Sequence, residues 1–452
     1  MSNEPNREKV LTVGAYDHDN FGDLLLLLVT QQYLTGHDMI AAGAISADMQ
    51  GLLDRKIVGY GHLLVKQKFD GIWTVGGEIG GVDVETAQIA SMSESEYRTF
   101  LQQTLDERRD ILSEKRGYCP TRTAYIPPPA AYPLNEDVPT VINSAGISYV
   151  LREEALPSMR EEAIALLRGT TLVSVRDQVS SNLLRLLEIE HTLAPDIVHA
   201  LQFLRPKKDG NEPSNIAIVQ ANSADLSKLD IGTVASMLAE SKELQGLSIR
   251  ILLAGTGPLH DSREQAQNLV SAIRSMRPNV DAEVVSDRRP YEIVDRISNA
   301  RIVIATSLHM RIVASAYNVP RVTFATTASW KVNRYAELWD NAMPFNVPLT
   351  RLERALRKAF RLADDPAVRS TSNNLASMAD HNLKSIIRRF NAEIGSRDPM
   401  SRNRRIEIRR RAMDPGKSEA WLNYVALPKN YHGYGSLDQE SVPELRRDSS
   451  GN

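Results

Sequence analysis

The chain has 452 residues, a formal net charge of −2, 42% hydrophobic residues and 24% charged residues. This length and composition predict an ordinary soluble globular protein with two or three domains. The near-zero charge argues against wholesale nucleic-acid binding. The single cysteine, Cys119, excludes an intramolecular disulfide framework and a cysteine-rich metal site.

Neither a secretory signal nor a membrane span is visible in the sequence. The first ten residues are polar and lack the apolar core of a signal peptide. The apolar run at residues 24–29 is far too short to cross a bilayer. We therefore expect a cytoplasmic protein, with the inner face of the membrane as an alternative location. The chain has no Walker, dinucleotide or HExxH motif, so no cofactor and no metal ion are expected.

Strands and helices alternate along the first half of the chain. Strands are predicted at residues 10–14, 39–45, 71–75, 141–142 and 172–175, and helices at 23–34, 94–115 and 153–168. The small residues at 143–146 predict a turn after the fourth strand. Three consecutive prolines at 127–129 predict a loop or a polyproline segment.

Residues 205–214 are charged, contain Gly and Pro, and have no apolar period, so we interpret them as an interdomain linker. The alternation then restarts. Strands are predicted at 216–220, 247–254, 302–305 and 321–324, and helices at 231–241, 262–276, 291–298, 309–317, 351–363 and 373–394. This order predicts two doubly wound α/β domains, one at residues 1–204 and one at 215–396, with the last two helices closing the second domain.

Residues 397–452 have a different character. Six arginines cluster at the start of this segment, and Trp421, Tyr424, Tyr431 and Tyr434 follow among glycines and prolines. We interpret the segment as a solvated or disordered tail. A patch that faces an anion or a membrane surface is the alternative.

Candidate site residues follow the predicted strands, because ligands of parallel sheets bind beyond the carboxyl ends of the strands. In the loop at residues 14–23, Asp23 is expected to cap a helix, whereas Asp17 and Asp19 are placed to contact a sugar hydroxyl. Gly76 and Gly77, followed by Glu78, mark either a close approach to a ligand or a simple tight turn.

Two further strand ends carry cationic or titratable side chains. Arg176 offers a fork for phosphate or carboxylate, with an ion pair to Asp177 or another acid as the alternative. His309 begins a helix, where the helix dipole favours an anion, and a helix-capping role is the alternative there. Ser307 and Leu308 precede His309, and Lys331 follows further along the chain.

Taken in order, these segments resemble the polysaccharide pyruvyl transferase family. The matching pieces are GAYDHDNFGD with Gly14, Asn20, Gly22 and Asp23, GGE at 76–78, VSVRD at 173–177, APD at 194–196, and SLHMRIVASAYNVPRV with Lys331 after it. They cover roughly residues 10–335. The chain departs from the family at Ser307, where many members have arginine, and at Glu78, where a third glycine is common.

The resemblance implies a glycosyltransferase B-like fold, in which two Rossmann-like domains face a cleft. It also implies transfer of a pyruvyl group from phosphoenolpyruvate to a glycan or a lipid-linked sugar, often as a cyclic ketal. On this basis His309 is expected to transfer a proton, with Asp17 or Asp19 receiving the hydroxyl proton. The expected substrate-binding residues are Arg176, Leu308, Ser307, Lys331, Gly76, Gly77 and Asn20.

Two competing functions stay open at this point. A nucleotide-sugar glycosyltransferase shares the same two-domain plan, because one fold hosts many reactions. A non-catalytic glycan-binding relative is the second, since Ser307 and Glu78 both touch the expected donor pocket. The oligomeric state is not predicted, and peripheral contact with a membrane depends on the arginine-rich tail.

Overall fold

The computed structural model describes residues 7–151, 157–207, 214–223, 226, 229–258, 260–326, 330–396 and 398–412. Two parallel sheets, each flanked by helices, form two Rossmann-like domains that face each other across a cleft. The expected α/β fold is therefore confirmed. Within the described residues, every helix is too short or too polar to cross a membrane.

The sheet of the first domain is almost entirely parallel. In the described part of the chain its strands are β1 (Lys9–Val13), β2 (Asp38–Gly43), β3 (Ala47–Asp48), β4 (Lys56–Gly59), β5 (Gly71–Thr74), β6 (Gly77–Glu78), β7 (Thr140–Gly146), β8 (Leu172–Val175) and β9 (Thr192–Leu193). Their order is β3-β4-β2-β1-β5-β7-β8-β9, β6 pairs with β7, and β3 runs antiparallel to β4. The carboxyl ends of β1, β5, β7 and β8 thus share one edge of the sheet.

The helices of this domain cover both faces of its sheet. They are α1 (Phe21–Tyr33), α2 (Gln50–Leu53), α3 (Tyr60–Lys66), α4 (Val84–Ala90), α5 (Glu94–Gln102), α6 (Leu105–Arg116), α7 (Pro157–Arg168), α8 (Gln178–Leu186) and α9 (Leu201–Leu204). In α1 four consecutive leucines, Leu24 to Leu27, are completely buried. The central residues of this helix are buried on every side because they lie between the two domains.

The second domain repeats the plan with a smaller sheet. Its strands are β10 (Ile216–Gln220), β11 (Ser248–Ile251), β12 (Ala282–Val284), β13 (Ile302–Ala305) and β14 (Arg321–Val322), all parallel in the order β12-β11-β10-β13-β14. Its helices are α10 (Ile231–Glu240), α11 (Arg263–Met276), α12 (Pro290–Asn299), α13 (Leu308–Ala316), α14 (Trp330–Trp339) and α15 (Leu352–Leu362). Of the proposed linker, residues 208–213 lie outside the described residues.

Two predictions about local structure in the first domain are wrong. The helix predicted at 94–115 is two helices, because the Thr104 side chain accepts from the Glu107 amide and Glu107 bonds back to the Thr104 amide, which starts α6 anew. The turn predicted at 143–146 is the second half of β7. There the ladder to β8 shifts register and Ser144 takes a positive φ of 57°.

The helix predicted at 373–394 does not close the second domain. It is part of α16 (Pro366–Gly395), which returns to the first domain. Phe390 packs edge-on against Trp73 at 5.4 Å, and the Asn382 side chain donates to Ser174 Oγ at 3.1 Å. Both domains also share one apolar core around α1, α12 and α13. The two sheets are therefore tied together at the cleft and by α16.

The start of the predicted tail is also ordered. It forms α17 (Pro399–Ala412), and the buried Arg409 donates to the carbonyls of Gly169, Glu136 and Val138 and to Thr140 Oγ1. A guanidinium with that many acceptors fixes the helix to the first domain, so a solvated tail is wrong for this part. The aromatic residues from Trp421 onward lie outside the described residues.

Candidate active site at the domain cleft

Arg176 lies at the carboxyl end of β8 and reaches into the cleft. Its Nη1 donates to Asp196 Oδ2 at 2.8 Å, and both side chains are buried. The sequence left an ion pair with Asp177 or another acid as the alternative, and the acid that pairs with Arg176 is Asp196. The Asp177 carboxylate instead caps α8 through the Ser180 amide. Asp196 follows β9, and its other oxygen accepts from the Val198 amide. The guanidinium is thereby held by a fully bonded carboxylate.

His309 approaches the same point from the second domain. It is the second residue of α13, whose N-cap is Ser307. Its Nε2 lies 3.3 Å from Arg176 Nη1 and 3.5 Å from Asp196 Oδ2. The structure therefore brings together, across the cleft, the arginine and the histidine that the sequence singled out.

The opposite side of the His309 ring rests on Gly22. A Cβ built at Gly22 would lie 1.7 Å from His309 Nδ1, a distance that no side chain can occupy. Only glycine at this position of α1 lets the imidazole lie beside Arg176. This contact explains, in physical terms, why the second residue of α1 is a glycine.

The Asp196 carboxylate lies beside both Arg176 and His309 and offsets the charge of the guanidinium. Burial acts to raise the pKa of Asp196, but the hydrogen bond and charge of His309 and the charge of Arg176 hold this pKa far below its usual range. Burial acts to lower the pKa of Arg176, and Asp196 and Glu78 raise it above its usual value. Both groups are thus ionised at neutral pH.

A small pocket opens beside Arg176, lined from both domains. The first domain supplies Glu78, Ser148, Arg176 and Asp177, and the second supplies Leu308, Trp330, Lys331, Arg334 and Tyr335. Ser148 Oγ donates to Glu78 Oε1 at 3.2 Å. The Lys331 ammonium and the Arg334 guanidinium lie over the Trp330 ring, at 5.8 and 5.0 Å from its centroid. Three cationic side chains therefore border one pocket, as an anionic ligand requires.

Gly76 and Gly77 form the tight approach between β5 and β6. Their φ angles are 109° and 87°, which favours glycine at both positions. A Cβ at Gly77 would lie 2.8 Å from Asp23 Oδ1, so this glycine also leaves room for the Asp23 carboxylate. Asp23 is not the helix cap that the sequence suggested, because Asn20 takes that role.

The Asp17 carboxylate is occupied by bonds within the protein. It accepts four hydrogen bonds, from the Ala44 and Ile45 amides, from Tyr125 OH and from His18 Nδ1. These use all of its lone-pair sites, which does not support the prediction that Asp17 accepts a hydroxyl proton.

Three other predicted contact residues serve structural bonds here. Asp19 Oδ2 is ion-paired with Arg288 and accepts from Thr256 Oγ1 at 2.5 Å, whereas Asp19 Oδ1 is buried and has no hydrogen-bond partner among the described residues. The expectation that Asp19 accepts a hydroxyl proton stays a prediction. The Asn20 side chain accepts from the Gly22 amide, and the Ser307 side chain accepts from the Met310 amide. Asn20 and Ser307 are therefore helix caps, which does not support the expectation that they bind substrate.

Several residues of the site were not found by sequence reasoning. Asp196 lies in the APD segment shortly after a strand, and this position was the signal in the sequence that could have identified it as a site residue. Tyr335 OH accepts from the Asp196 amide at 3.0 Å, and Trp339 Nε1 donates to the Arg176 carbonyl at 2.9 Å. Tyr335 and Trp339 both lie on α14, which is more than 130 residues from Arg176 and Asp196 in the sequence, so these contacts could not be predicted from sequence patterns. Among the described residues, no group of three His, Cys, Asp or Glu side chains is arranged to bind a metal ion.

The fold and the geometry of the site describe a two-domain α/β protein with a small pocket between its domains. The sequence profile of the family described as Polysaccharide pyruvyl transferase matches residues 20–327. The chain belongs to this family, and membership of the family makes it a transferase.

Solved structures with a similar arrangement are glycosyltransferases and UDP-GlcNAc epimerases. UDP-GlcNAc 2-epimerase from Neisseria meningitidis is 14% identical over 85% of this chain and 100% of that chain, with a TM-score of 0.47. A putative UDP-N-acetylglucosamine 2-epimerase from Listeria monocytogenes is 10% identical over 85% and 97%, with a TM-score of 0.49. TarM from S. aureus is 11% identical over 58% and 52%, with a TM-score of 0.37. The chain spans about half the length of TarM. No curated protein matches the chain.

Proposed function

We propose that the protein transfers a pyruvyl group from phosphoenolpyruvate to a sugar hydroxyl of a polysaccharide or its lipid-linked precursor. One observation carries this proposal. Arg176 of the first domain and His309 of the second lie 3.3 Å apart, at the edge of a pocket that Lys331 and Arg334 also line. A small molecule with two anionic groups and a carbon that must be protonated fits such a combination.

The anionic groups of the donor divide between the cations of the pocket. Arg176 binds one of them, and Lys331 and Arg334 on α14 bind the other. The Arg176 charge is offset by Asp196, and the carboxylates of Glu78 and Asp177 also line the pocket, so Lys331 and Arg334 on α14 are the cations that we assign to the phosphate. Leu308 and Trp330 supply the apolar wall against which the methylene group packs.

The chemistry begins with proton transfer from His309 to the methylene carbon, which becomes a methyl group. The adjacent carbon is then electrophilic, and a sugar hydroxyl attacks it, forming one C–O bond and losing its proton to a base. The bond from this carbon to phosphate breaks with its electron pair, and phosphate leaves. Attack by a second hydroxyl of the same sugar forms the second C–O bond, and its proton leaves with phosphate, which yields a cyclic ketal.

One assay separates this proposal from nucleotide-sugar transfer. Purified protein is incubated with p-nitrophenyl hexopyranosides and either phosphoenolpyruvate or a UDP-sugar, and the released phosphate and UDP are measured. We expect phosphate release and an acceptor heavier by one pyruvate minus one water. UDP release with no phosphate release would replace the proposal by glycosyl transfer. Binding of phosphoenolpyruvate without turnover on any hexoside would favour a non-catalytic role.

A further inference from the structure

A second histidine stands at the cleft, four residues before Gly22. His18 Nδ1 lies 3.0 Å from Asp17 Oδ1, and Asp17 is locked by its bonds to the Ala44 amide and Tyr125 OH. The proton of a neutral His18 ring is therefore held on Nδ1, which donates to the carboxylate and leaves a lone pair on Nε2. A buried carboxylate that orients an imidazole in this way prepares it to accept a proton.

The Nε2 atom of His18 has no hydrogen-bond partner within the part of the chain that the structure describes. The only hydrogen bond of the His18 ring among the described residues is the one from Nδ1 to Asp17. The Nε2 atom is not completely buried. The His18 ring stacks on His260 of the second domain, with ring centroids 5.5 Å apart and planes 12° from parallel. His18 thus lies where the two domains meet, with Nε2 available to a ligand.

The charges around His18 favour a base. Burial acts to lower the pKa of His18, but the hydrogen bond to Asp17 and the charges of Asp17, Asp23 and Asp19 raise it above its usual value. Burial lowers the pKa of His260 to about 3, so the stacked ring stays neutral near pH 7. The remaining charged groups that act on this histidine pair are Arg288 and Lys331.

The position of His18 relative to the donor pocket is set by the loop that carries it. His309 rests on Gly22, and His18 precedes Gly22 by four residues, a span of at most about 14 Å. The Asn20 amide donates to the His18 carbonyl, which tightens this span further. Lys331, which lines the donor pocket, also acts on His260, the ring that stacks on His18, so the histidine pair lies near that pocket.

We propose that His18 is the base that removes the proton from the attacking sugar hydroxyl, and that Asp17 is its positioning residue. This inference rests on the proposed function and adds an acceptor site to it. The hydroxyl O–H bond breaks as its oxygen bonds to the donor carbon, and the proton moves to His18 Nε2. His309 supplies the separate proton to the methylene carbon, so acid and base belong to different domains.

The test uses His18→Gln, His260→Ala and wild-type protein. His18→Gln should lower kcat by about 10²–10⁴-fold while the dissociation constant of phosphoenolpyruvate stays unchanged. The fall of kcat at low pH, which reports protonation of His18 in the wild type, should disappear in the variant. His260→Ala should lower kcat far less, because it removes the stacked ring and keeps the base.

The opposite results are equally specific. Wild-type turnover in His18→Gln, or equal losses in His18→Gln and His260→Ala, would assign the histidine pair to domain contact alone. Failure of the proposed function would differ, because the wild type would then neither bind phosphoenolpyruvate nor release phosphate.

A measurement that does not need turnover also addresses His18. Long-range ¹H–¹⁵N spectra of histidine-labelled protein report which ring nitrogen carries the proton. We expect the proton of His18 on Nδ1 in the wild type. Addition of p-nitrophenyl hexosides to the donor-loaded protein should shift the His18 Nε2 signal. A His18 Nε2 signal that does not shift with any of the hexosides would overturn the assignment.

Discussion

Replacement of Gly22 by alanine tests the contact between α1 and His309. The added Cβ would lie 1.7 Å from Nδ1, 2.4 Å from Cγ and 2.6 Å from Cε1 of the imidazole. Ordinary contacts begin at 3.4 Å, so the ring must move by at least 3.4 − 1.7 = 1.7 Å. Such a movement separates His309 from Arg176 and from Asp196, which now lie 3.3 and 3.5 Å from Nε2.

The expected size of the effect differs between stability and activity. In a helix, alanine is normally more favourable than glycine by about 1 kcal/mol. Overpacking of a buried site costs about 1–3 kcal/mol, so Gly22→Ala should lose roughly 0–2 kcal/mol of unfolding free energy. A displacement of about 1 Å at a reacting group can cost about 100-fold in rate, so turnover should fall by at least that factor.

Chemical denaturation and phosphate release measure these two effects. Gly51→Ala in α2 is the matched control, because a Cβ there meets no atom within 4 Å, and we expect it to keep wild-type turnover. The double variant Gly22→Ala/His309→Ala should regain stability, since the clash is gone, while turnover stays low. Full turnover in Gly22→Ala would show that His309 does not act from the position described above.

Three further changes probe the buried charges. Arg176→Met leaves Asp196 buried without its cation, so the protein should lose about 3–5 kcal/mol of unfolding free energy in chemical denaturation. Calorimetry should show that the variant no longer binds phosphoenolpyruvate. Unchanged stability would contradict the ion pair. Burial lowers the pKa of His260 to about 3, so this residue should cost the native state up to about 2 kcal/mol of stability as pH falls from about 6.5 to 5. His260→Phe should remove this share of the acid-dependent loss in thermal melts at pH 7.5 and 5, while the share of His199, whose pKa burial lowers to about 4, remains. An equal loss in both proteins would oppose the burial of His260. Arg409→Met should expose α17 to limited proteolysis, whereas Arg404→Met, at an exposed position, should not, and equal cleavage of both would contradict the anchoring of this helix.

The convergence of Arg176 and His309 could be predicted because both follow buried strands. Parallel strands end at a common edge, so the residues after β8 and β13 must face the space between the sheets. The order of short motifs then indicated the family and, with it, the opposition of the two sheets. The position of a residue at the end of a buried strand can be predicted because runs of hydrophobic residues mark such strands in the sequence.

Side-chain partners at long range could not be predicted in this way. Asp17 is saturated by groups 27, 28 and 108 residues away, and no periodic pattern records those bonds. The apolar stripe of α16 predicts a buried face, but the stripe alone does not indicate which of the two sheets this face covers. By contrast, the break before α6 was visible as Thr104 followed by Glu107, a capping box that outweighed the continuous helical pattern.

The pairing of one guanidinium and one imidazole around a single donor is the centre of this account, and a crystal structure with phosphoenolpyruvate bound tests it most directly. We expect one anionic group of the donor within hydrogen-bond distance of Arg176, the other beside Lys331, and the methylene carbon facing His309. A donor bound away from both Arg176 and His309 would contradict the account.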